Sequence, residues 1–224
     1  GDVVPAARDS TTHANVIIAA GTPRGNRTLQ WPYAVHSRPP PRCATRTRRH
    51  HGMRTPRIRS AEGRRLIPGT VPDTPAIARR YDAIPYAAQS NALSHPAHLA
   101  TVATLFGLAP APVATCRVLE VGCSDGANLL PMAAVLPRAR FVGCDVSPRA
   151  IATARAGAAA LGLANVALVE RDLAELTDEP AEYDYIVAHG FYSWVPAPVR
   201  DALLALAARR LARNGVLFVS YNVY

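Results

Sequence analysis

The stretch LEVGCSDGANLL, residues 119–130, decides the fold class, because an apolar run passes there into a glycine-rich turn and then into a second apolar segment. Two apolar residues flank Glu120, and Gly122 and Gly126 bound the turn. A buried strand that ends in such a turn and leads into a helix is typical of α/β domains that bind nucleotide-like ligands. The residue types in the turn then indicate which part of a ligand the turn contacts.

Strand and helix signals alternate around this turn, which predicts an α/β fold with a parallel sheet covered by helices. Ser147 and Pro148 mark the start of one helix, and Asn214-Gly215 is expected to end another. Pro131 is expected to remove one backbone hydrogen bond inside the first helix of the core and to kink it. We predict strands at 116–122, 139–145, 166–171, 183–189 and 216–222, with helices at 126–136, 147–163 and 197–213.

The basic charge is confined to the N-terminal third of the chain. All 25 basic residues are arginines; residues 1–80 hold 15 of them against 4 acidic residues, and residues 81–224 hold 10 against 12. We predict that residues 1–75, rich in Arg and Pro, form a disordered segment, because they show no sustained hydrophobic period. A basic arm for RNA or acidic lipid is the alternative. The near-neutral remainder indicates no specific nucleic-acid partner.

The remaining domain boundaries follow from the texture of the sequence. Residues 76–115 are predicted to form an N-terminal helical cap, and residues 116–224 a core that binds the ligand. The four cysteines lack the spacing of a zinc site, so no metal is expected, and nothing indicates disulfides. No run is long enough to span a membrane, and no signal peptide is evident, so we expect a cytoplasmic protein without a membrane partner.

The turn itself does not fit a pyrophosphate. A dinucleotide fingerprint needs glycine where Ser124 stands, so that the backbone can approach the phosphates. Glu120 and Asp125 place carboxylates beside the turn; they repel a phosphate and favour a ligand that carries a sulfonium and an ammonium. This argues against a nicotinamide-dependent enzyme.

Two further acids follow the next strands of the predicted sheet. Asp145 ends the second strand, where a carboxylate can accept both hydroxyls of a ribose, and Asp172 follows the third, where it can accept from an exocyclic amine. Each has a plainer interpretation, since Asp145 can cap a helix and Asp172 can cap the segment 173–178. Taken in order, the turn and the two acids predict a site for S-adenosylmethionine.

The motifs VLEVGCSDGANLLPMA, FVGCDVSPRAI and DYIVAHGFYSWVP resemble those of class I S-adenosylmethionine-dependent methyltransferases over about residues 80–224. They are similar to a bacterial subgroup whose members carry a methyltransferase regulatory domain, near the rickettsial-type protein lysine methyltransferases. The resemblance implies a Rossmann-like, doubly wound sheet ordered 3-2-1-4-5. It also implies that Tyr81 and Tyr86 help to close the pocket. The cofactor contacts expected from residues and resemblance together are Glu120, Gly122, Ser124, Gly126, Asp145 and Asp172.

The loop after the fourth strand, AHGFYSWVP at 188–196, is expected to face the transferable methyl group. His189 could take a proton from the methyl acceptor or orient it. Tyr192 and Trp194 could form an aromatic wall around an amine. The alternative is that the aromatic residues pack beneath the loop and that His189 bonds to backbone.

We therefore predict methyl transfer from S-adenosylmethionine to a nucleophilic acceptor, either a small molecule or a protein side-chain amine. A domain that binds the cofactor without turnover is the alternative. The resemblance implies a sheet of seven strands, of which only five are evident, so this chain is expected to be a fragment that lacks the last two. Strand 216–222 would then be an exposed edge through which copies associate.

Overall fold

A computed structural model describes residues 12–19, 89–178 and 182–223 of the chain. The three ranges contain a six-stranded sheet flanked by helices. The strands are β1 (Thr12–Ala19), β2 (Arg117–Val121), β3 (Arg140–Asp145), β4 (Val166–Glu170), β5 (Tyr183–Ala188) and β6 (Leu211–Val223). The helices are α1 (Pro96–Leu105), α2 (Leu129–Val135), α3 (Pro148–Ala160) and α4 (Ala197–Arg210), with 3₁₀ turns at Ala92–Ser94, Val113–Thr115 and Leu173–Asp178.

The order of the sheet is β1-β6-β5-β2-β3-β4. Strands β2 to β6 are parallel to one another, which confirms the predicted order 3-2-1-4-5 and the Rossmann-like α/β class. Because all five parallel strands point the same way, their carboxyl ends lie at one edge of the sheet. The glycine turn, Asp145 and His189 all follow strands at that edge.

Helices cover both faces of the sheet, and alternation along the strands divides the core in two. In β2, Val118 belongs to one cluster and Leu119 to the other. The first cluster packs α1, α2 and α3 on one face, and the second packs α4 and the turn Leu173–Asp178 on the other. Glu120 has the same parity as Val118 and therefore points toward the α1–α2 side.

The prediction that strand five is an unpaired edge is wrong. Strand β1 pairs antiparallel with β6 along its whole length, from Thr12 opposite Val223 to Ala19 opposite Val216. Residues 12–19 are therefore a strand and not part of a disordered segment. The backbone groups of β6 that would otherwise lie open are hydrogen-bonded, which removes the reason for association through residues 216–222. The rest of the predicted segment 1–75 lies outside the described residues.

Two helix predictions need correction. The first helix of the core begins at Leu129, so Pro131 lies in its first turn, where backbone N–H groups have no partner inside the helix. No helical hydrogen bond is lost there. The last helix ends at Arg210, because Leu211 is extended (φ −66°, ψ 127°) and opens β6. Asn214, at φ 61°, lies within β6 near the register shift between β5 and β6. The predicted start of α3 is confirmed, with the Ser147 hydroxyl accepting from the Ala150 N–H.

Removal of β1 is expected to expose the edge of β6 and to drive association. A chain that begins at residue 21 should sediment as larger species than the full chain at equal concentration, because β6 would offer a row of free N–H and C=O groups. A chain that lacks only residues 1–11 keeps β1 and should behave as the full chain does. Identical sedimentation of all three chains would contradict the pairing.

Candidate functional site at the carboxyl edge of the sheet

The glycine turn is shaped by three residues in the left-handed region. Gly122 and Gly126 have φ of 70° and 81°, and Ser124 between them has φ of 49°. The N–H groups of Gly122 and Cys123 both donate to the carbonyl of Cys144, at 2.9 and 3.1 Å, so the turn is anchored to β3. A serine in this conformation carries a steric cost of roughly 1–2 kcal/mol. Other contacts of the turn must therefore stabilise it.

Asp145 connects the turn to helix α3. Its Oδ2 accepts from the Ser124 N–H at 2.9 Å, and its Oδ1 accepts from the Ser147 N–H at 2.9 Å. The carboxylate therefore has the structural role that the capping alternative anticipated, although the cap itself is Ser147. An ionised carboxylate has about four lone-pair positions, so a carboxylate such as that of Asp145 can accept from more than two donors.

Glu120 does not lie on the surface of the turn. Its side chain is 2% exposed, and its Oε1 accepts from the Asn128 amide at 2.7 Å. Its Oε2 is also buried and has no hydrogen-bond partner within the described residues. Burial raises the pKa of Glu120 to about 8, against a smaller opposing effect of the bond from Asn128. Such a carboxyl is uncharged at neutral pH until a cation or another donor reaches Oε2.

A polar network joins Glu120 to residues 91–94, which precede α1 and are here called the cap segment. Asn128 accepts from the backbone N–H of Asn91 at 2.8 Å, and its amide lies 3.1 Å from the Ser94 hydroxyl. Ser94 also donates to the carbonyl of Asn91 at 2.8 Å. Sequence reasoning missed these three residues. The signals present were a polar residue inside an apolar run at 128 and an N-cap residue before the short segment at 92–94.

His189 follows β5 and lies beside the same cap segment. Its Nδ1 is 3.2 Å from the Asn91 side-chain nitrogen and 3.0 Å from the Ser220 hydroxyl on β6. Ser220 in turn accepts from the Gly190 N–H at 2.7 Å. The structure therefore brings the predicted His189 to the edge that carries Glu120 and the turn, and it adds Asn91 and Ser220 as neighbours.

The aromatic residues of the loop 188–196 are arranged differently from an open cage. The guanidinium of Arg200 lies over the Tyr192 ring, 5.4 Å from its centroid. A bound cation on that face of Tyr192 would meet like charge. Phe191 and Tyr192 pack against the second core cluster, as the packing alternative expected, whereas Trp194 is 54% exposed. Trp194 is thus the most open aromatic side chain of the loop.

The other predicted contacts vary in placement. Asp172 follows β4 at the same edge and is half-buried, with its carbonyl accepting from the Glu175 N–H as the turn Leu173–Asp178 begins. Asp125 accepts from the Ala127 N–H at 3.1 Å and so stabilises the glycine turn locally. Tyr81 and Tyr86 lie outside the described residues.

The cysteines near the site are structural. Cys123 and Cys144 are buried and neither is in a disulfide, and desolvation, reinforced by Glu120, raises the pKa of the Cys123 thiol far above its ordinary value. A buried thiol held in its neutral form is neither a nucleophile nor a metal ligand. Among the described residues, no group of three or more His, Cys, Asp or Glu side chains could hold a metal ion.

The opposite edge of the sheet has a cavity whose lining offers few groups for binding or catalysis. An open cavity of about 560 Å³ lies near the start of β3 and is lined by apolar residues with Arg138, Arg140 and Asn165. The Asn165 amide is already occupied by three backbone carbonyls at 3.1 Å each. None of the helices in the described ranges has both the length and the apolar character needed to cross a membrane.

The buried Glu120 is expected to give the protein a distinctive dependence of stability on pH. Between the ordinary pKa of 4.5 and the folded value of about 8, the folded state holds a proton that the unfolded state has released. The free energy of unfolding therefore falls as pH rises through this window, by on the order of 3–5 kcal/mol. Urea unfolding from pH 4.5 to 8 should show this slope in the wild type and a much weaker slope in Glu120→Gln.

Glu170→Gln is the matched control for this measurement, because Glu170 is exposed at the end of β4. It should retain the wild-type slope. A Glu120→Gln variant whose slope equals that of the wild type would contradict the assignment of a protonated, buried Glu120.

Residues 118–215 match the family model of a methyltransferase domain. An uncharacterized protein of Rickettsia prowazekii is 40% identical over 157 residues, which is 70% of this chain and 28% of that protein. Trans-aconitate 2-methyltransferase of Methylobacterium nodulans is 35% identical over 113 residues, which is 50% of this chain and 41% of the enzyme.

A similar solved structure is that of PKMT2 from Rickettsia typhi in complex with AdoHcy. It is 35% identical, superposes with a TM-score of 0.58, and covers 60% of this chain and 26% of its own. The chain thus spans less than half the length of each of these relatives. The matched region contains the glycine turn, both candidate acids and His189.

Proposed function

We propose that this chain binds S-adenosylmethionine at the carboxyl edge of its sheet and transfers the methyl group to a nucleophilic acceptor, because residues 118–215 match the family model of a methyltransferase domain and the fold resembles that of a solved structure in complex with AdoHcy. The observation that carries the proposal is the direct bond between Asp145 and the glycine turn, 2.9 Å from Oδ2 to the Ser124 N–H. This bond joins the glycine turn to the end of β3, and the cofactor would have to contact both.

The side chains at this edge fit the charges of the cofactor. Asp145 would accept from the ribose hydroxyls, and Asp172 would accept from the exocyclic amine of the adenine. The buried Oε2 of Glu120, which has no hydrogen-bond partner in the part of the chain that the structure describes, would accept from the ammonium of the methionine part. A cation there would favour the ionised form of Glu120 and would satisfy an acceptor that burial leaves empty.

The bound cofactor would supply a methyl group activated by its sulfonium. The chain would orient the reactants and exclude water. The network of Asn91, Ser94 and Asn128 ties the cap segment to the end of the turn, and there the segment would help to exclude water from a bound cofactor. Holding reactants in register and excluding solvent are the principal ways in which a protein accelerates such a transfer. His189 and Tyr192 are the candidates for contact with the acceptor.

A protein side-chain amine is the acceptor class that we favour. The resemblance to rickettsial-type protein lysine methyltransferases and the match to PKMT2 support it. Arg200 covers one face of Tyr192 and would repel a charged amine there. An amine would therefore have to approach from another side, where Trp194 is exposed.

A cofactor-binding domain without turnover is the second candidate. The position of Arg200 favours it, because the Arg200 guanidinium lies over the ring of Tyr192 and places a cation where an acceptor amine was expected.

One experiment separates these functions. The full chain is titrated with S-adenosylmethionine by calorimetry and then incubated with the methyl-tritiated cofactor and a bacterial lysate. Formation of S-adenosylhomocysteine with label in protein would support the proposal in full. Label confined to small molecules would overturn the acceptor class alone, and binding without product would favour the second candidate. Absence of binding would contradict both.

A further inference from the structure

The imidazole of His189 is held at one nitrogen by two hydrogen-bond donors. We infer that Asn91 and Ser220 are positioning residues that keep neutral His189 in the tautomer with its proton on Nε2, so that Nδ1 does not act as a general base. The functional significance of this tautomer rests on the proposed function, whereas the tautomer itself does not depend on methyl transfer.

The orientation of the Asn91 side chain is set by a second contact. Its Oδ1 accepts from the Leu93 N–H at 3.0 Å as the N-cap of the short turn Ala92–Ser94. The backbone N–H of Asn91 is anchored to Asn128 at 2.8 Å. With the oxygen committed to Leu93, the group that lies 3.2 Å from His189 Nδ1 is the amide nitrogen. An amide nitrogen only donates, so Nδ1 must accept.

Ser220 completes the arrangement from β6. Its hydroxyl oxygen accepts from the Gly190 N–H at 2.7 Å and lies 3.0 Å from Nδ1. Because Asn91 already requires a lone pair on Nδ1, the Ser220 proton is the hydrogen that faces the ring. Ser220 is 3% exposed, so water does not readily replace it.

The two donors determine what His189 can do chemically. A neutral imidazole carries one proton, and a lone pair at Nδ1 places that proton on Nε2. A proton added at Nδ1 would face two other hydrogens at hydrogen-bond distance. Neither nitrogen of neutral His189 is then available to take the proton released during methyl transfer to an amine, because Nδ1 accepts from two donors and Nε2 already carries a proton. That proton would leave to solvent.

The test is a direct reading of the tautomer by NMR. Full-length protein labelled with ¹⁵N at its seven histidines is measured at pH 8, above the ordinary histidine pKa of about 6.5, without cofactor or acceptor. The His189→Gln variant identifies the His189 signals by their loss. The wild type is expected to show Nδ1 unprotonated and Nε2 protonated.

Asn91→Asp is the decisive variant, because one carboxylate oxygen can still accept from Leu93 while the other now accepts from His189. It is expected to move the proton onto Nδ1. Asn214→Asp makes the same chemical change near the amino end of β6 and should leave the His189 signals unchanged.

Two outcomes would overturn the inference. One is a wild-type His189 with the proton on Nδ1, and the other is an Asn91→Asp variant that folds, by its chemical-shift dispersion, but keeps the wild-type tautomer. Since no cofactor is present, failure of the proposed methyl transfer leaves this result readable, and a failed tautomer prediction leaves cofactor binding standing.

Discussion

Asp145→Ala is expected to raise the dissociation constant for S-adenosylmethionine by roughly a hundredfold, which corresponds to the loss of about 3 kcal/mol from two charge-assisted hydrogen bonds. The structure adds a second cause. Asp145 also accepts from the N–H groups of Ser124 and Ser147, so its removal frees the glycine turn from α3. Both effects weaken binding, and calorimetric titration measures their sum.

Asp145→Asn helps to separate the two causes. It keeps one oxygen acceptor for a backbone N–H but replaces the charged carboxylate that the ribose hydroxyls would meet. It should therefore lie between the wild type and Asp145→Ala in thermal stability while remaining weak in cofactor binding.

Asp201→Ala is the matched control, because Asp201 lies exposed on α4 and its replacement makes the same change in net charge. It should bind the cofactor as the wild type does. An Asp145→Ala variant that melts cooperatively and binds with an unchanged dissociation constant would remove Asp145 from the site.

Gly122→Ala is expected to lower the free energy of unfolding by about 2–5 kcal/mol. Two separate effects contribute. The backbone of Gly122 is left-handed, at φ 70°, and an added Cβ would lie 2.6 Å from Cδ2 of Phe191. A contact under 3 Å forces the ring or the turn to move, and the turn carries the bond to Asp145. Urea unfolding gives the change in stability, and calorimetry the expected loss of cofactor binding.

Gly162→Ala isolates the backbone effect. Gly162 is also left-handed, at φ 64°, but nothing lies within 4 Å of an added Cβ. Its replacement should cost about 1–2 kcal/mol. A double-mutant cycle of Gly122→Ala with Phe191→Ala then measures the coupling between the two positions. The steric argument fails if Gly122→Ala costs no more than Gly162→Ala.

The alternation of strands and helices could be predicted because its determinants are local, whereas the order of the parallel strands was implied by the family resemblance. Apolar runs, the glycine turn and the Ser147-Pro148 helix start each act over a few residues. The carboxyl-edge positions of Asp145 and Asp172 then follow from the parallel order alone. The antiparallel partner of β6 could not be predicted in the same way, because it comes from about 200 residues earlier in the chain and shows no sequence period of its own.

The sequence by itself determined the α/β class and the acids and glycines that follow the strands, and its resemblance to a known family implied the order of the five parallel strands. Tertiary structure alone decided that β1 pairs with β6, that Glu120 is buried with one oxygen lacking a hydrogen-bond partner among the described residues, and that Asn91 and Ser220 lie at hydrogen-bond distance from His189 Nδ1. The physical reason is the range of the interactions. Turns and caps are set by neighbours along the chain, whereas the hydrogen bonds of His189 join residues 98 and 31 positions away, which meet only when the sheet and cap pack together.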